Sequence, residues 1–157
     1  MERRIAICHT QVNFVDDLVA RVPGEEYPLF ETKQKALMFA AALGFHLQRR
    51  VPLTARDASS AIRFDIFQKN IDDGFVACAA IATAGELGVL VGSREDEIGV
   101  LFEEYANAGL AELHLRVWGK PEPLQGLIAL MNDARFLVID QGLEGVDSGV
   151  LADLLKR

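Results

Sequence analysis

The chain has 157 residues, 50% of them hydrophobic and 25% charged, and a formal net charge of −7; this suits one domain over 1–157 and excludes a disordered chain. The longest uninterrupted apolar run, Ala36–Leu43, is far shorter than the ~20 residues of a membrane span, and no apolar stretch of signal length follows Arg3-Arg4, so a cytoplasmic protein is expected. Residues 1–70 sum to +2 and residues 71–157 to −9, which excludes a uniformly cationic surface and confines any face for a phosphate backbone to the first half.

Alternation in Arg4–Cys8, with Ile5 and Ile7 on one side, predicts a short strand. A helix is expected over Val12–Val22, where Val12, Val15, Leu18 and Val22 recur at helical spacing and Pro23-Gly24 stops the pattern. Thr32 is a natural N-cap for the next helix, Lys33–Leu47. Its centre is apolar on every side, so it should be buried and central, and Ala40, Ala41 and Ala42 leave room for a neighbouring backbone. After Pro52 the chain is polar until Ile62–Ile66, whose alternation suggests a strand or extended segment.

Asn70 can cap a third helix, Ile71–Thr83. Ser93-Arg94-Glu95-Asp96 has the capping-box pattern with Asp in place of Glu or Gln. In the helix that follows, Ile98, Leu101, Phe102, Tyr105, Ala106 and Ala108 form an apolar stripe, Glu95, Glu97, Glu103 and Glu104 take the opposite, solvated side, and Asn107 and Gly109 are natural terminators. Glu122–Asn132 is another helix, Phe136–Ile139 a possible strand and Val150–Leu155 a last short helix. The fold class is therefore mainly α with small β elements (α+β). It has a β-α-α unit at 1–50, a helix-rich remainder at 51–134 and a tail at 135–157.

Little in this pattern supports catalysis. Cys8 and His9 are adjacent, and neighbours in a strand point to opposite faces, so they read as a buried thiol beside a surface histidine and not as a nucleophile with its base. Cys8 and Cys78 are expected to be reduced core thiols. His9, His46 and His114 have no partner at ligand spacing, so no metal and no cofactor are expected. Gly142, Gly145 and Gly149 lack the order of a phosphate loop. What remains is a basic set: Arg3, Arg4, Lys33, Lys35, Arg49, Arg50, Arg56, Arg63 and Lys69. Lys33 and Lys35 open a helix, where free N–H groups favour a phosphate, while Arg49-Arg50 follow its other end, a place where cations also serve as ordinary dipole partners.

Three blocks carry a resemblance. They are Phe30-Glu31-Thr32-Lys33 through Lys35–His46 and Arg49–Leu53, then Ile62–Phe67, then Arg94–Glu97 with Phe102–Leu110. In this order, over roughly residues 1–134, the chain resembles the dnd system-associated protein 4 family, also called DNA phosphorothioation-associated protein 4. The resemblance implies a protein encoded with genes that replace a non-bridging phosphate oxygen of DNA by sulphur, and with the restriction genes that use the mark in antiviral defence. It supplies no catalytic residue. The strand–helix–helix order of residues 3–47 also looks like a ribbon–helix–helix unit, in which two protomers pair strands, so a homo-oligomer is expected.

Two functions follow as expectations, neither of them enzymatic. One is an accessory protein of the modification and restriction system that touches the backbone of double-stranded DNA through Arg3, Arg4, Lys33, Lys35, Arg49 and Arg50. The other is an adaptor that docks on a protein of the same system through Glu95, Glu97, Glu103 and Glu104 without binding DNA.

Overall fold

The computed structural model describes residues 3–21, 26–67, 72–91 and 94–143. Strand β1 (Arg4–Cys8) pairs antiparallel with β2 (Arg56–Arg63), placing Arg4 opposite Arg63, Ile5 opposite Ile62, Ile7 opposite Asp57 and Cys8 opposite Arg56. The ladder extends at both ends, where the Phe64 N–H donates to the Arg3 carbonyl and the His9 N–H to the Ala55 carbonyl. Between Ile5 and Ile7 the register shifts. The extra residues of β2 bulge outward there, and the Asp57 carboxylate closes the bulge by accepting from the Ser60 N–H at 2.9 Å and from the Ser59 hydroxyl.

This pairing corrects one expectation. The β-α-α order is present, but β1 pairs with β2 of its own chain, so it is not an isolated strand that only a second protomer could pair. The extended segment expected at Ile62–Ile66 is corrected too: β2 ends at Arg63, and Phe64–Phe67 is a short helix, α3. One helical turn brings both Phe64 and Phe67 into the core, a burial that alternation along a strand cannot give to residues three apart.

A 3-10 turn (His9–Gln11) leads into α1 (Val12–Val19), which buries Phe14, Val15 and Leu18 and packs on α2 (Lys33–His46). Thr32 caps α2 as expected, its hydroxyl accepting from the Lys35 N–H. The helix ends in a Schellman turn: Gln48 sits at φ 52, the Gln48 N–H donates to the Phe45 carbonyl and the Arg49 N–H to that of Gly44. Helix α4 (Asp72–Ala84) follows, then a 3-10 turn (Leu87–Leu90) and the long α5 (Glu95–Arg116). The expected stop at Pro23-Gly24, the caps Asn70 and Ser93, Lys69 and the expected helix Val150–Leu155 lie outside the described residues.

The deepest helix is α5, buried at Gly99, Leu101–Glu103, Tyr105–Leu110 and Leu113, whereas α2 keeps several half-buried positions. The two approach backbone to backbone. A Cβ on Gly109 would lie 1.8 Å from the Ala40 carbonyl oxygen, and one on Gly44 would lie 2.1 Å from that of Tyr105. Gly109 therefore does not terminate the helix, as expected from sequence; it lets α2 in, and α5 runs on to Arg116. Phe67 packs at a tilt against Phe102 with 5.0 Å between centroids, and Phe45 meets Tyr105 edge to face at 5.4 Å.

The described residues fall into two compact units, divided between Leu115 and Arg116. The second contains α6 (Pro123–Leu143), with proline at its first position, where the missing N–H costs nothing. The strand expected at Phe136–Ile139 is corrected: those residues are helical and continue α6.

Candidate functional site

The described residues bring charged side chains together in clusters. Glu103 is 1% exposed, in the middle of α5. Its Oε1 accepts from the Ala6 N–H at 2.8 Å, where β1 faces the bulge of β2, and faces Arg3 Nη2 at 3.1 Å; its Oε2 meets Arg56 Nη1 at 2.7 Å. A Cβ on Gly99 would lie 2.4 Å from Arg3 Nε, so the glycine leaves the guanidinium its place against α5. One carboxylate thus joins the strand, its neighbour β2 and the central helix. Glu103 is not part of a solvated acidic face; this corrects the sequence expectation, which assigned α5 one buried stripe where it has burial nearly all round.

A second cluster straps the chain after α2 to α5. Arg50 bonds Glu104 through Nε and Nη2 at 2.8 and 2.6 Å and lies over the Tyr105 ring at 5.9 Å. Arg49 Nη1 reaches Glu112 at 3.4 Å. Between them the Val51 N–H donates to the Glu104 carbonyl, and the buried Asn107 amide donates to the Val51 carbonyl at 3.1 Å. Asn107, expected to end the helix, instead pins this strap.

The remaining expected DNA contacts are mostly occupied as well. Lys33 pairs with Asp16, and Lys35 with Glu31, whose carboxyl is held below its ordinary value by the Lys35 hydrogen bond. Among the described residues, Arg4, exposed on β1, is the one of the six cations with no ion-pair partner.

Of the expected acidic face, the first turn of α5 survives at the surface. Glu95, Asp96 and Glu97 are exposed, Asp96 to 86% of its side chain although Arg3 Nη1 lies 3.7 Å away. Arg94 bonds Glu97 through Nε and Nη2 and Glu86 through Nη1, which raises the arginine's pKa and lowers that of Glu97. Sequence reading passes over Leu87–Val91, just upstream, whose only signal is an apolar run too short for a helix.

Cys8 is buried and Cys78 exposed, so the second thiol is not a core group as expected. Burial pushes the Cys8 thiol up, but hydrogen bonds from Thr10, from the Thr54 hydroxyl and from the Ala55 N–H outweigh it, and its pKa falls from 9.0 to about 7. His9 turns away to the Asp57 carboxylate at 3.3 Å. That carboxyl is held below its ordinary value chiefly by Ser59 and the Ser60 N–H. Among the described residues no three His, Cys, Asp or Glu side chains converge on a point where a metal could sit, and no helix is long and apolar enough to cross a membrane.

The family model described as DNA sulphur modification system-associated protein 4 matches residues 4–146, the same family that the sequence blocks resemble. No curated protein and no solved structure matches the chain.

Proposed function

This chain belongs to the DNA sulphur modification system-associated protein 4 family, and on that premise we propose that it is a non-catalytic adaptor of such a system. It docks on a protein component through the acidic start of α5 and does not grip the DNA backbone. The observation that carries this reading is the pairing of the cations. Arg3, Lys33, Lys35, Arg49 and Arg50 each face a carboxylate of their own chain, while Glu95 and Asp96 stand exposed. Backbone affinity comes from cations that displace counterions from phosphates. Freeing Arg3 for that task would leave a buried carboxylate short of its partner. Lys33 and Lys35 have weaker, exposed pairs, but a phosphate approaching them meets Asp16 or Glu31 at the same spot.

The test is co-purification of the tagged full chain from cells carrying the complete sulphur modification system, with and without nuclease. The adaptor reading expects the same system proteins to be retained after nuclease digestion and to be depleted when Glu95→Lys and Asp96→Lys are combined. Loss of every partner on nuclease treatment would instead favour contact through DNA.

A further inference from the structure

The 3-10 turn between α4 and α5 is held in place from two sides. Val89 is fully buried in a cluster with Ala80 and Leu101, against which Ile81 and Ile98 pack. Arg94 ties Glu86, just before the turn, to Glu97 in the first turn of α5. The Val91 N–H donates to the Gly88 carbonyl at 3.1 Å and prolongs the tight winding. In a 3-10 helix residues three apart lie one above the other, so Leu87 and Leu90 share a side and Val91 follows them. Leu87, Leu90 and Val91 are 72%, 43% and 72% exposed. A segment that only linked two helices could carry polar residues here; three large apolar side chains displayed from a doubly anchored turn mark an interaction surface.

The rim of this patch is acidic. Glu86 precedes the turn and Glu95, Asp96 and Glu97 open the helix after it; Arg94 engages Glu86 and Glu97, Arg3 Nη1 lies 3.7 Å from Asp96, whose side chain stays 86% exposed, and Glu95 is exposed with no ion pair among the described residues, so Glu95 and the open side of Asp96 can face a partner. We infer that this turn is the apolar anchor of the docking site, and that its occupant is a basic amphipathic segment of a protein component of the system. The segment seats apolar side chains on Leu87, Leu90 and Val91 and sets lysines or arginines against Glu95 and Asp96. Nucleic acid, an anionic membrane surface and an acidic peptide are all disfavoured by the same carboxylates. The inference rests on the adaptor reading and adds the anchor and the chemistry of the partner.

The two parts of the site have separable kinetic signatures, because buried apolar anchors govern dissociation while rim charges govern association and its salt dependence. The experiment titrates the full chain against each purified protein of the sulphur modification system and follows both rates. L87S/V91S is expected to speed dissociation about 10- to 100-fold with an unchanged circular dichroism spectrum and melting point. E95Q/D96Q is expected to slow association several-fold and flatten its salt dependence. Leu115→Ser, another exposed leucine (71%), should leave both rates alone. If the double variant does not fold, L87S and V91S are read singly in the same way. Binding by a folded L87S/V91S at the wild-type dissociation rate overturns the anchor and leaves the adaptor reading standing. Failure of every component to bind the wild-type chain overturns both.

Discussion

Glu103 shows how much a single side chain can organise. It has lost its water, and three groups make up for that: the Ala6 N–H, Arg3 and Arg56. Removing one member of a buried ion cluster is costly because the others stay buried without a counter-charge. Glu103→Ala is therefore expected to destabilise the protein by about 3–5 kcal/mol, read as a lower urea midpoint. Arg56→Ala should cost less, since Arg56 is half exposed and water can replace part of what it loses. Cys8 gives a pH signature. Its folded pKa, about 7, lies below its ordinary value of 9.0. The thiolate's contribution is thus fully present above pH 9, absent below 7, and makes stability rise with pH in between. Denaturation across that window should show an increase of about 1–3 kcal/mol that Cys8→Ser removes. A sequence can mark Glu103 as an acid on a helix. Only the fold brings Arg3, Arg56 and the Ala6 N–H of β1 to it, from positions far apart in the chain.

At the scale of elements, the crossing of α2 and α5 depends on what is missing from Gly44 and Gly109. A methyl group at either would overlap a backbone carbonyl of the other helix, and a backbone cannot swing aside as a side chain can. Gly44→Ala and Gly109→Ala should each cost about 3 kcal/mol and appear as a lower melting temperature, despite alanine's better helix propensity. Half of this contact was legible in sequence: the run Ala40-Ala41-Ala42 and the Thr32 cap announced a buried helix open to close approach. The other half was not, since Gly109 after Asn107 has the signature of a helix end, and local pattern cannot tell a stop from a crossing point. The same ambiguity explains Phe64–Phe67 and Phe136–Ile139, short apolar runs that fit a strand and a helix equally well until tertiary context decides.

Over the whole chain, the charge imbalance between its halves is real in sequence but does not amount to a basic face. Counting charges says nothing of their partners. Arg50 finds Glu104 from 54 residues away and Arg49 finds Glu112 from 63, so these arginines of the first half are answered by acids of the second, while Lys33 and Lys35 meet Asp16 and Glu31 of their own half. β1 likewise finds its partner strand outside residues 3–47, in β2 of the same chain, which the pattern of those residues alone does not reveal. The acidic first turn of α5, by contrast, was legible and stays at the surface at Glu95 and Asp96.

Five of the six cations expected to contact DNA are paired with carboxylates of their own chain, and whether that pairing keeps them from DNA can be measured. The most direct test titrates the protein into labelled duplex DNA, with and without phosphorothioate linkages, at ~50 mM salt, where even non-specific backbone contacts register. No complex is expected up to about 10 μM protein, below the upper range of ordinary non-specific dissociation constants. A complex whose affinity falls steeply with added salt, with a slope that flattens when Lys33 and Lys35 are changed to alanine, would contradict that expectation.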